Sequence, residues 1–142
     1  MIVCGIDPGV NGGLAFVDFN PDLPDVGVHL DYWVRTPTYK VDGKKRIDIP
    51  RLHDCLNWAS QLKNRHIVIE KVGAMPGNGS VSMFNFGRAV GIIDGLVSTI
   101  RSVQGVCYVR PQEWKQHHQL INYDKATGRK LATSCAATNW PL

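Results

Sequence analysis

At 142 residues the chain is the size of one domain with one good core, and a composition 44% hydrophobic and 20% charged excludes a disordered or fibrous protein. No apolar run approaches membrane-spanning length and Met1 leads almost directly into a first strand, so the sequence predicts no membrane partner and no secretory or organellar leader; the expected place is the cytoplasm. Cys4, Cys55, Cys107 and Cys135 form no Cys-x-x-Cys pair, which argues against a zinc site and for reduced thiols.

In chain order, the β-branched run Ile2-Val3-Cys4-Gly5-Ile6 predicts a buried strand that ends on Asp7 and opens into the turn Asp7-Pro8-Gly9. Gly12-Gly13 turns the chain into a second strand, Leu14 to Phe19, and after a loop at Asn20 to Asp25 the alternation of Val26 to Val34 predicts a third. These three are expected as an antiparallel meander. Lys40 to Arg46 reads as a charged surface loop. Asp48 then has the place of an N-cap, with Pro50 in the first turn and Leu52, Cys55, Leu56, Ala59 and Leu62 on one helical face, ending near Asn64. Ile67-Val68-Ile69 is a fourth strand closing on Glu70, and a strand–helix–strand connection of right-handed sense lets it lie parallel beside the first.

The loop Gly73 to Gly79 is glycine-rich but lacks the Gly-Lys-Ser/Thr ending of a nucleotide-binding loop, so that motif is rejected. From Ser82 to Arg101 the apolar pattern is helical, and Gly87, Gly91 and Gly95 recur on one face. Each costs about 1 kcal/mol relative to alanine, so something is expected to approach closely: either the sheet or a helix of a second subunit. Val106 to Val109 reads as a fifth strand, Pro111 to His118 as a short helix, Asn122 to Thr127 as a polar link, and Lys125 to Thr138 as a weakly amphipathic helix before Trp140-Pro141-Leu142.

Asp7 and Glu70 are therefore acids at the C-terminal tips of neighbouring strands. Two carboxylates side by side repel unless a cation or a shared proton lies between them, and the cation suited to carboxylate oxygens is Mg²⁺, with Mn²⁺ as its substitute. The bland alternative is a turn-capping Asp7 and a surface ion pair between Glu70 and Lys71. A net charge of +4 and a pI of about 9.0 place the positive charge outside this acidic site. A polyanionic substrate explains that division; mild basicity for solubility is the competing explanation.

Ile6-Asp7-Pro8-Gly9, Ile69-Glu70-Lys71-Val72, the loop Gly73-Ala74-Met75-Pro76-Gly77-Asn78-Gly79 with Ser82-Met83-Phe84-Asn85-Phe86-Gly87-Arg88, and Pro111-x-x-Trp114-Lys115 together resemble the RuvC Holliday-junction resolvases, especially their bacteriophage branch. The resemblance runs from Met1 to about Pro141. It implies an α/β ribonuclease H-like fold, a five-stranded mixed sheet flanked by helices, forming a single nuclease domain over residues 1–142. It also implies a homodimeric, metal-dependent endonuclease acting on four-way and related branched DNA, without a small-molecule cofactor, and in a bacterial host's cytoplasm if phage-encoded. Position by position, Asp7 and Glu70 match the first two catalytic and metal-holding acids; Lys115 matches a basic catalytic residue near the scissile phosphate, and Lys125 a second. Lys71, Met75, Gly77, Asn78, Gly79, Ser80, Ser82, Phe84 and Arg88 match the segment that enters the junction.

Two departures stand out. Where bacterial members carry an aromatic wedge three residues after the second acid, this chain has Gly73, leaving Met75 or Phe84 to stack on bases. The family also completes its site with two further acids on a C-terminal helix, and the chain is expected to end before that helix begins; neither Asp94 nor Asp124 matches those positions. His117 and His118 invite a general-base role, but adjacent helical residues face different ways, and a solvated pair is the expectation. Two rivals remain: a junction-binding protein with weak or no nuclease activity, and a lobe of a sugar-kinase or actin-like ATPase, which needs a second lobe that 142 residues leave no room for.

Overall fold

The computed structural model describes residues 1–20, 22, 28–58, 65–73, 77 and 79–117. The chain divides into two compact units, Met1–Tyr108 and Val109–Leu142.

The first unit is built on strands β1 (Ile2–Asp7), β2 (Gly13–Phe19), β3 (Val28–Arg35), β6 (Arg65–Glu70) and β7 (Val103–Val109), in the sheet order β3-β2-β1-β6-β7. β1 pairs antiparallel with β2, β2 with β3, and β1 runs parallel to β6. The meander, the crossover and the five-stranded sheet are thus those expected from the sequence. Alternation along the strands separates the two faces. Ile2, Cys4, Ile6, Leu14, Phe16, Ile67 and Ile69 are buried on one face, against Leu52 and Leu56 of α1 (Ile49–Trp58) and Ala89, Ile93 and Val97 of α2 (Ser80–Thr99). Val3, Gly5 and Asp7, with His66, Val68 and Glu70, fall on the other face.

The start of α1 follows its sequence signal. Asp48 Oδ1 accepts the Arg51 amide at 3.2 Å and the Asp48 carbonyl accepts the Leu52 amide at 2.9 Å, so the carboxylate caps the helix and its peptide begins the ladder. Ala59, Leu62 and the helix end near Asn64 lie outside the described residues.

Two expectations are corrected. Residues 40–46 are not a loop: β4 (Thr38–Val41) and β5 (Lys44–Ile47) form an antiparallel hairpin of their own, joined by Asp42 and Gly43 at φ 49° and 72°. Two consecutive positive φ values suit a tight hairpin turn, for which Asp-Gly is the strongest short signal; four cations in the ten residues Thr38 to Ile47 hide it. The glycine stripe of α2 does not pack on the sheet. Gly87, Gly91 and Gly95 are exposed, with no atom within 4 Å of where a Cβ would stand. They lie two residues out of phase with buried Ala89, Ile93 and Val97, which at 100° per residue is the opposite side of the helix.

In the second unit the described element is α3 (Pro111–His117). Its start is held by Glu113, whose Oε2 accepts the Arg110 amide at 2.9 Å, while the Arg110 carbonyl accepts the amides of Glu113 and Trp114. The expected helix from Lys125 to Thr138, the link before it, His118 and the Trp140-Pro141-Leu142 ending lie outside the described residues.

Candidate active site

Asp7 and Glu70 are the last residues of β1 and β6. The parallel register sets Ile6 against Ile69, so the next residues, the two acids, are neighbours at one rim of the sheet and project to the face away from the core. Adjacent strands stand about 4.8 Å apart, which is the side-by-side placement the sequence predicts. The Asp7 carboxyl is raised above its ordinary value, first by partial burial and then by the neighbouring Glu70 charge.

The loop from Pro8 to Gly12 folds back over Asp7. A Cβ on Gly12 would stand 2.0 Å from the Asp7 carbonyl oxygen and 3.3 Å from its Cγ, so only glycine fits this close approach. The Gly12 carbonyl accepts the amide of buried Thr36 at 3.0 Å, which ties the loop to the end of β3.

A cleft of about 580 Å³ opens beside Asp7, walled by Asn11, Tyr39, Lys45, Arg46 and Arg88 among others. Ser82 and Arg88, expected to meet nucleic acid, line it. Ser80 and Phe84, also expected there, line an adjoining groove with Lys44 and Arg46, and Phe84 is 72% exposed. Lys71, Gly77 and Gly79 are exposed outside both linings. Met75, Asn78 and Lys125 lie outside the described residues. Lys115 belongs to the second unit, where its Nζ stands 5.1 Å from the centroid of the Trp114 ring, a cation–π contact.

The sequence does not single out Lys44, Lys45, Arg46 and Tyr39, because the hairpin that brings them to the cleft lacks the apolar alternation of a half-buried strand. Asp94, not promoted as a ligand, accepts the Tyr108 hydroxyl at 3.0 Å.

Among the described residues no cluster of three or more His, Cys, Asp or Glu is placed to hold a metal ion. The pair is two hard oxygen donors whose mutual repulsion a cation relieves, and that donor set fits Mg²⁺, an ion that retains several waters.

No protein-family model and no curated protein matches the sequence. Among solved structures, the chain is similar to Thermus thermophilus RuvC in complex with a Holliday junction substrate, at a TM-score of 0.57 and 18% identity over 82% of this chain and 70% of that one. It is also similar to a second Thermus thermophilus RuvC structure, at a TM-score of 0.57 and 20% identity over 94% of this chain and 74% of that one. The chain thus has the α/β fold of RuvC, a ribonuclease H-like mixed five-stranded sheet flanked by helices.

Proposed function

We propose that this protein is a divalent-metal-dependent endonuclease that binds and cuts four-way and related branched DNA as a homodimer. The observation that carries the reading is the pair Asp7 and Glu70, set side by side at the tips of β1 and β6 in a RuvC fold, with Asp7 lining a cleft that has cations on its other walls. A Holliday junction is the substrate in the complex of the Thermus thermophilus protein that this chain resembles.

Asp7 and Glu70 would hold Mg²⁺ or Mn²⁺, which when bound supplies Lewis acidity to the phosphate and an acidified water. The protein's own residues do the rest. The Gly12 loop fixes Asp7 in place, and partial burial with the neighbouring Glu70 charge raises the Asp7 carboxyl above its ordinary value, a cost that a bound cation would relieve. Arg88 in the cleft contacts phosphate, and Lys115 offsets charge that builds on the scissile group, a point-charge role suited to lysine; Lys125 is proposed as a second such cation. Phe84 offers a ring for stacking on an unpaired base. The open glycine face of α2 gives a second copy a place to bring its backbone close, and a junction of two-fold symmetry requires paired sites.

A second reading, a junction-binding protein with little nuclease activity, draws on the presence of only two clustered acids among the described residues. One experiment separates the two: gel shift and cleavage of a synthetic four-way junction and a linear duplex of the same sequence with Mg²⁺. The nuclease reading predicts junction binding that falls with salt, Mg²⁺-dependent cutting, and about a thousand-fold or greater loss of cutting in Asp7→Asn and Glu70→Gln with binding retained. Binding without cutting by the wild type selects the second reading. Equal loss of binding and cutting in both variants overturns the metal assignment.

A further inference from the structure

The β4–β5 hairpin, Thr38 to Ile47, carries Lys40, Lys44, Lys45 and Arg46 against one acid, Asp42. Such a charge run is ordinarily a solvated surface, but here three observations set it apart. None of these cations, nor Arg88 across the cleft, is ion-paired among the described residues, where the salt bridges join the N-terminus to Asp18, Arg51 to Asp48 and His53 to Asp54. Two of the cations are positioned without being neutralised. Lys45 Nζ donates to Asn11 Oδ1 at 2.9 Å, and Arg46 Nη1 donates to Asn85 Oδ1 at 3.3 Å; each acceptor is a neutral amide. Asn11 lies in the loop that follows Asp7 and Asn85 lies on α2, so the two bonds pin the hairpin to both sides of the cleft that Asp7 lines. The groove beyond Lys44 and Arg46 is floored by Val81 and Phe84, both largely exposed.

Unneutralised cations alternating with exposed apolar and aromatic groups are the recognition chemistry of a nucleic-acid strand whose bases are not all paired: phosphates lie on the cations, and a base lies on a ring. A protein-binding surface would be expected to pair such charges or bury them against acids, and a duplex would leave Phe84 without a base to stack on. We infer that the β4–β5 hairpin is a DNA-strand clamp, in which Lys44, Lys45 and Arg46 hold phosphates of the strand leaving the Asp7–Glu70 pair while Phe84 stacks on an unpaired base at the crossover. The inference rests on the branched-DNA reading above and adds to it the element that grips the strand. The amide pins explain how a hairpin of two four-residue strands, in a sheet of its own, holds its cations beside the cleft that Asp7 lines.

The test is junction binding by fluorescence anisotropy across a salt series, with Lys44→Gln/Lys45→Gln compared against Arg51→Gln/Arg101→Gln, which removes the same charge outside the cleft. The hairpin variant should bind a four-way junction about tenfold more weakly, with a slope of log affinity against log salt shallower by about 1.4, the value for two lost single-strand phosphate contacts. The control should change little, and Lys44→Arg/Lys45→Arg should keep both affinity and slope, which excludes a folding defect at these exposed positions. A hairpin variant with wild-type affinity and slope, or a control that loses as much, overturns the clamp and leaves the branched-DNA reading standing. Wild-type protein without junction affinity overturns both.

Discussion

At the first residue of β6, Arg65 is 1% exposed and held by two hydrogen bonds: Nη1 donates to the Leu56 carbonyl at 2.6 Å and Nη2 donates to Ser102 Oγ, while Nε is buried without a hydrogen-bond partner among the described residues. Burial pulls the guanidinium below its ordinary value, yet an arginine stays protonated. The Cys4 thiol near it is pushed up to about 12 by burial, so it stays a neutral neighbour. At the last residue of the same strand, Glu70 lies beside Asp7 of β1, and Asp7 lines an open cleft. One end of the strand pair spends its charge on joining α1 to the turn before β7. The other end sets two carboxylates side by side at the rim of the sheet. A charge held inside the fold by hydrogen bonds is structural, and one crowded against its like at an exposed rim is a candidate for chemistry.

Breaking the satisfied end should have the largest effect on stability. Arg65→Ala removes both hydrogen bonds, strands the Leu56 carbonyl and opens a cavity, and chemical denaturation should show a loss of about 3 kcal/mol. Protein that remains folded should still cut junctions at the wild-type rate, since Arg65 lies at the opposite rim from the acids. Gly12→Ala sharpens the open end. Its Cβ would meet the Asp7 carbonyl at 2.0 Å, so the loop must move, with about 2 kcal/mol lost and cutting lowered more than binding, read by melting together with the junction assay.

The contrast between these ends also shows what the sequence discloses. Asp7 and Glu70 were legible because each closes a β-branched run, and because a crossover helix with a clear cap at Asp48 forces the two strands to be parallel neighbours. Nothing local distinguishes Arg65, a buried arginine, from an exposed one; its partners are Leu56, across the end of α1, and Ser102, far along the chain. The hairpin failed for a different reason. Its strands are four residues long and charged, without the apolar alternation that marks a half-buried strand, and the Asp42-Gly43 turn was the one local clue. The glycines of α2 were read as a sign of close packing, but a spacing of four fixes only that they share a face. Which face is set by Ala89, Ile93 and Val97, whose apolar character is weakly distinguished from that of Val90, Ile92 and Leu96 around them.

The smallest effect concerns acid. Because the folded Asp7 pKa lies above its unfolded value of about 3.9, the folded state holds the proton more tightly. Stability should therefore fall as pH rises from about 3.9 through the raised value, and stay lower at neutral pH. Asp7→Asn removes that penalty: without metal, the variant should be slightly more stable than wild type at pH 7, the effect being reduced by solvent screening. The gain should vanish below the unfolded pKa. Melting curves from acid to neutral pH check both the sign and the window.

The claim beneath all of this is that the acid pair is completed by a divalent cation, and it is tested most directly by thermal melting at pH 7 over a Mg²⁺ or Mn²⁺ titration. A ligand bound only by the folded state raises stability with its concentration. The wild-type Tm should climb with the ion, and that climb should be lost in both Asp7→Asn and Glu70→Gln while their metal-free folds remain intact. A wild-type Tm indifferent to the ion, or an equal climb in the two variants, would contradict the account.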